Sequence, residues 1–289
     1  MDPITDFHCD SHQVDGLNLS YLDSGGERPP LHFYHANGFP ISVYIPFMRI
    51  LTERFRVLGM GLRGQDAQTE GNSSWHSAAD DLIDFLDKRQ LRGTIGVGHS
   101  VGAVATMFAA ARRPELFSKI VLIDPVLLPW RYLFFMAFIR LINRKDLFFL
   151  ARLARNRRSR WQDRQEAYEY FKTKSLFKNF EEAFFDAYIT FGLKPSQDGG
   201  VELLCPKDAE ARLFEFLPLD IWFWPKKITI PTLIVRGAQS NTLLETELIR
   251  FCRKCKSAKA RTVENAGHLV PMEASQAVAD IIMDFTSKS

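Results

Sequence analysis

Ser100 lies in the pentapeptide Gly98-His99-Ser100-Val101-Gly102, directly after the apolar stretch 94–97 and directly before the small-residue run 103–111. A Gly-x-Ser-x-Gly segment set between a strand and a helix describes a sharp, strained turn that presents the serine hydroxyl above the edge of a sheet. The backbone N–H of Val101, at the start of that helix, points at any negative charge forming on a bound carbonyl. A chance glycine-serine turn would lack these flanks. The chemistry is attack on an acyl carbon, because serine forms an acyl intermediate from esters, thioesters or amides.

A serine hydroxyl is a poor nucleophile without a base, and His268 supplies one in a loop between a short apolar strand and the final helix. It can take the serine proton and return it to the leaving group. One of seven histidines could equally be a surface loop residue. Its place, last in the order serine, acid, histidine, favours catalysis.

With these residues stand His35-Ala36-Asn37-Gly38-Phe39-Pro40 after an apolar strand, the strands 119–125 and 232–237, and Gly267-His268. On those motifs the chain resembles the α/β-hydrolases over nearly its whole length. The resemblance implies an α/β fold: a mostly parallel, doubly wound sheet with a helical cap inserted. In most members the acid follows the glycine that ends the strand before the last. Here that loop, Gly237-Ala238-Gln239-Ser240-Asn241-Thr242, has no carboxylate, and Asn241 holds the expected place. An amide orients imidazole without stabilising imidazolium by charge, a loss of about 10⁴ in turnover. A second arrangement within the fold puts the acid at the end of the strand after the nucleophile helix, where Asp124 stands. Asp124 is therefore the expected acid, against its reading as a structural aspartate; Glu245 and Glu247 are outlying candidates.

The same resemblance points to the N–H of Phe39 as the second oxyanion donor beside Val101, with the Asn37 side chain as another contributor and His35 as a loop brace. A serine at the turn, where dehalogenases and epoxide hydrolases of this fold need a carboxylate, excludes their alkyl-ester chemistry.

The elements that must hold these residues follow from alternating apolar strands and helices. Strands are expected at 16–22, 31–35, 55–60, 94–98, 119–123, 232–236 and 260–264, and helices at 41–53, 76–90, 101–112, 243–254 and 271–286. Arg63-Gly64 reads as structural. Residues 1–125 and 223–289 form the core, and 126–222 a cap of helices with no clear strand. Of 36 aromatic residues, 22 lie in 126–224, a surplus that points to a lipophilic acyl pocket against the plainer reading of a lid building its own core. Within the cap, the apolar runs 133–139 and 147–150 are bounded by arginines and are too short to span a bilayer. They fit peripheral contact with an anionic membrane, a solvated helix face being the plainer account of the arginines alone.

A chain of 289 residues suits one core with an insertion, and a net charge of +3 is too small to imply nucleic acid. Four sparse cysteines suit a reducing compartment. Cys252 and Cys255 lack a second ligand pair, so they read as a surface thiol pair rather than a zinc site. The first residues show no basic region followed by an apolar run, and 286–289 match no peroxisomal tail. The expectation is a cytoplasmic serine hydrolase, without cofactor or metal, cleaving carboxylic esters with a hydrophobic acyl part through an acyl-enzyme. Two alternatives stand beside it: transfer of the acyl group to an alcohol or peroxide, and a ligand-binding relative with a disabled triad, motivated by Asn241.

Overall fold

Asp15 and Gly16 both take positive φ (50° and 76°), which forms the two-residue turn that folds β1 (His8–Val14) back on β2 (Leu17–Asp23). The first of these strands was not expected. Its sequence, HCDSHQV, is polar and five of its seven residues are exposed, so the edge carries no apolar alternation to read. The computed structural model describes residues 6–65, 74–144 and 147–287. Residues 1–5 and the last two of the tail, read above for targeting signals, lie outside it.

The chain continues through β3 (Pro30–Tyr34), α1 (Ile45–Leu51), β4 (Arg56–Met60), α2 (Trp75–Lys88), β5 (Thr94–His99), α3 (Val101–Arg112) and β6 (Phe117–Ile123). The insertion then holds α4 (Trp130–Leu141), α5 (Phe149–Asn156), β7 (Arg160–Trp161), α6 (Arg164–Lys172), α7 (Glu182–Phe191), β8 (Leu193–Pro195), β9 (Val201–Leu203) and α8 (Lys207–Glu215). The core resumes with β10 (Thr232–Gly237), α9 (Glu245–Lys254), β11 (Ala258–Val263), α10 (Val270–Glu273) and α11 (Ser275–Ser287). The insertion departs from the expected all-helical cap, because β7, β9 and β8 pair into a small antiparallel sheet. Strands of two and three residues are too short to show a period.

The eight-stranded sheet runs β1-β2-β4-β3-β5-β6-β10-β11. Pairing is parallel from β4 to β11 and antiparallel at β1-β2 and β2-β4. Strand β5 is buried along its whole length, as a strand covered on both faces must be. Helices α2, α3 and α9 cover one face, with Phe85, Phe108 and Phe251 fully buried, and α1 and α11 cover the other through Phe47 and Ile282. Chain order reverses where β3 lies between β4 and β5. Crevices at such switch points, beyond the carboxyl ends of the strands, are where open α/β sheets hold ligands.

Arg63 donates to both oxygens of the buried Asp81 carboxylate, the structural role expected of it. Cys255 is buried, not part of a surface thiol pair. His32, on β3, is fully buried with the edges of Tyr34 and Phe85 against it (5.4 and 5.5 Å), and neither ring nitrogen has a hydrogen-bond partner among the described residues. Burial pushes its pKa down from 6.5 to about 3. Above about pH 6.5 both folded and unfolded chains carry the neutral ring. As pH falls below that, only the unfolded chain takes the proton, so folding stability is lost down to about pH 3. Between pH 7 and 5, His32→Leu should therefore lose about 2 kcal/mol less stability than the parent chain, as read by urea unfolding at the two pH values.

Candidate active site

Strand β5 ends at His99 and α3 begins at Val101, leaving Ser100 alone at the turn with φ 57° and ψ −116°. A serine held at positive φ costs about 1–3 kcal/mol, and its surroundings leave no alternative. A Cβ on Gly98 would lie 2.4 Å from the Gly102 carbonyl oxygen, and one on Gly102 would lie 2.3 Å from that of Tyr34. Ser100 N–H donates to Ile123 O at 2.9 Å, tying the turn to β6.

The residues expected to work with Ser100 converge on it from the ends of three strands. His268, in the loop after β11, has Nε2 3.0 Å from Ser100 Oγ and Nδ1 2.6 Å from Asp124 Oδ2. The carboxylate can only accept, so Nδ1 carries the proton and Nε2 is free to receive the serine's. Asp124 is fully buried at the end of β6. Its Oδ1 accepts from Gly237 N–H (3.2 Å) and its Oδ2 also accepts from Ser240 Oγ (2.5 Å). With His268 these donors offset the cost of burying the carboxylate. Asn241 points outward and is exposed, its Oδ1 accepting from Thr242 Oγ1 at 3.4 Å. Glu245 is exposed and Glu247 pairs with Arg250 at 3.0 Å. Of the carboxylates considered from sequence, Asp124 alone reaches His268.

Two side chains in the site were not singled out from sequence. Ser240 stands one residue before Asn241, and its Oγ accepts from the N–H groups of Thr242 and Leu243 (3.1 and 3.2 Å) while donating to Asp124. Its only sequence signal is that a buried carboxylate needs donors from a facing loop. His99, buried beside the serine, donates from Nε2 to the His268 carbonyl (2.9 Å) and accepts at Nδ1 from the Tyr44 hydroxyl (2.8 Å). That hydroxyl in turn accepts from Ala36 N–H at 3.2 Å. Burial holds the His99 pKa near 3, so the ring stays neutral and this chain of bonds keeps one direction.

Val101 N–H, at the first position of α3, has no acceptor among the described residues, as the N-terminal amides of a helix must when no cap serves them. The expectation for Phe39 is corrected. Its N–H turns back to Ala36 O at 3.4 Å. The amide of this loop that donates to no acceptor among the described residues is that of Asn37. The Asn37 side chain is engaged as well, Nδ2 donating to Glu210 O at 3.0 Å and Oδ1 accepting from Gln65 Nε2. His35 braces the loop as expected, donating from Nδ1 to Ala36 O (2.8 Å) and accepting at Nε2 from Leu62 N–H (2.9 Å). The insertion reaches the loop through Glu210 of α8, whose carboxylate lies 2.7 Å from the half-buried Arg157. Burial raises the Glu210 pKa, and Arg157 opposes that rise.

Residues 32–281 match the model of the alpha/beta hydrolase family. The chain belongs to that family. Over 266 residues it is 25% identical to the 2-(acetamidomethylene)succinate hydrolase of Mesorhizobium japonicum, covering 91% of this chain and 90% of that one. It is 32% identical over 119 residues to a bifunctional esterase/perhydrolase of Acinetobacter calcoaceticus, 39% of this chain and 42% of that one. The crystal structure of an E-2-(acetamidomethylene)succinate hydrolase superposes with a TM-score of 0.82 at 22% identity, over 97% of this alpha/beta hydrolase and 99% of that chain. Hydrolysis of the alpha/beta hydrolase type is the activity that this membership carries.

Asp124→Asn should lower turnover of a chromogenic ester by about 10⁴-fold with the fold intact, while Asn241→Ala stays near the parent rate. Ser240→Ala, which removes one bond to the charged acid, should cost roughly tenfold. Steady-state kinetics on the three variants checks the order; a larger loss at Asn241 than at Asp124 would reassign the support of His268.

Proposed function

We propose that this chain is a serine hydrolase that cleaves carboxylic esters with a hydrophobic acyl part through an acyl-enzyme. The observation that carries the reading is the unbroken series Ser100 Oγ, His268 Nε2, His268 Nδ1, Asp124 Oδ2 at 3.0 and 2.6 Å. Ser100 Oγ attacks the ester carbonyl while its proton passes to His268 Nε2. The tetrahedral oxyanion is held by the N–H groups of Val101 and Asn37, each worth about 3–4 kcal/mol in the transition state. Asp124 stabilises the imidazolium, which then protonates the departing alkoxide. Water, deprotonated by His268, releases the acid and restores the serine. The alternative of a disabled triad rested on the missing acid at Asn241, and the 2.6 Å contact of Asp124 with His268 Nδ1 favours an intact triad over it.

The aromatic surplus of the insertion divides. Trp161, Phe171 and Phe177 pack on one another, with centroids 4.9 and 5.3 Å apart, as the interior of the insertion. A second group is exposed on α4 and α5. Phe180 and Tyr188 belong to that interior, 5.0 and 4.7 Å from Phe177, and also meet Phe39, 6.2 and 5.6 Å away, on the loop that carries the Asn37 amide. These three rings, rather than the whole surplus, support a hydrophobic acyl group.

Hydrolysis of p-nitrophenyl esters tests both parts. Ser100→Ala should lower turnover by up to roughly 10⁶-fold, and activity close to the parent would remove the serine mechanism. The specificity constant should climb from acetate to longer chains, by up to about 0.8 kcal/mol or fourfold per methylene, then level off. A steady fall from acetate would replace the hydrophobic acyl part with a short one.

A further inference from the structure

Helices α4 and α5 are built inside out. In α5 the residues turned toward the protein are Ala151 and Ala154, while Phe149, Leu150 and Leu153 are 60, 54 and 50% exposed. In α4 only Leu133 and Ile139 are buried, and Phe134, Phe138 and Leu141 stand 69, 57 and 83% exposed along one stripe at helical spacing. A helix that covers a core does the opposite. Of the large apolar side chains exposed on the described surface, all but Leu176, Phe216, Phe223 and Ile249 lie between Trp130 and Leu153. A contiguous exposed apolar patch of this kind marks an interaction surface rather than a contribution to folding.

This stretch of chain is rich in arginine, of which Arg155, Arg157, Arg158 and Arg160 are paired with Glu215, Glu210, Glu166 and Asp198. Between Asp124 and Asp163 the sequence holds eight arginines and one lysine against a single acidic residue, Asp146. Arg131 and Arg152 rise from the two helices beside the apolar stripe, over the rings of Tyr132 and Phe149 (5.1 and 5.9 Å), and neither has a carboxylate partner among the described residues. No helix among the described residues is long and apolar enough to cross a membrane. Apolar side chains flanked by arginine on helices too short to span are the pattern of a surface that lies in the headgroup region. A second copy of the chain fits less well, because a two-fold contact through this face brings each arginine rim against its equivalent.

We infer that the α4–α5 face docks on an anionic lipid bilayer, with Phe134, Phe138, Leu141, Phe149 and Leu153 at the acyl boundary and Arg131 and Arg152 on the headgroup phosphates. Helix α5 packs on α8, whose Glu210 touches the Asn37 loop. The docked face therefore lies one helix layer from the candidate active site. The inference rests on the surface alone and is independent of the reaction proposed above.

Co-sedimentation of the full chain with vesicles of phosphatidylcholine, with and without phosphatidylglycerol, tests it. Binding should need the anionic lipid and weaken in high salt. Each arginine near the surface is worth about fivefold, so Arg131→Glu with Arg152→Glu should weaken binding by about 25-fold or more. Phe134→Ser with Leu141→Ser should weaken it by more than about tenfold. Both variants should keep the parent circular dichroism and the parent turnover of a water-soluble ester, which separates loss of docking from loss of the site. The inference is overturned if the parent chain stays in the supernatant with both vesicle types, or if both double variants bind as it does. It is also overturned if the parent is a dimer in vesicle-free solution that Phe134→Ser with Leu141→Ser dissociates.

Discussion

A carboxylate buried to zero exposure must be surrounded by donors, or its desolvation costs several kcal/mol. Asp124 meets that demand with an imidazole, a backbone amide and a hydroxyl, drawn from the loop after β11, the end of β10 and the loop after β10. Satisfying the carboxylate and assembling the site are therefore one requirement. The two loops are joined further where Ala238 N–H donates to Val263 O and Gln239 N–H to Ala266 O, both at 2.9 Å. His268 is thus fixed before any substrate arrives.

On the other side of the serine, the chain Ala36 N–H, Tyr44 hydroxyl, His99, His268 carbonyl ties the loop after β3 to the loop that carries the imidazole. Every group in it has one direction of donation, because the first can only donate and the last can only accept. The loop that carries the Asn37 amide and the loop that carries His268 are held in register through His99, the residue before Ser100. Preorganisation of this kind lets amide donors act on a forming oxyanion without reorganising at the moment of reaction.

The sequence made the core legible where one segment carries its own signal. The turn at Ser100 and helix α3 stand within the expected bounds, and the α3 limits coincide with 101–112. Asp124 was reachable because Asn241 left no carboxylate in its loop. What was not legible depends on partners distant in the chain. The polar strand β1 exists because β2 pairs with it, and the strands of the insertion are too short to show a period. The Phe39 assignment failed on two residues: with Ala36 and Asn37 present, the turn closes between Phe39 and Ala36 and leaves a different amide open. Ser240 and His99 are ordinary in sequence and gain their roles only when Asp124 and Tyr44 come within reach. That the Phe and Leu of α5 face outward likewise follows from a distant partner, because α8 covers the alanine face of α5.

Covalent capture tests the central claim, an activated serine at the β5–α3 turn, most directly. A fluorophosphonate should add once per chain, and peptide mass mapping should place the adduct on Ser100, with labelling slowed by about 100-fold or more in His268→Ala. An adduct on another residue, or no adduct in a preparation that hydrolyses a small ester, would contradict the account.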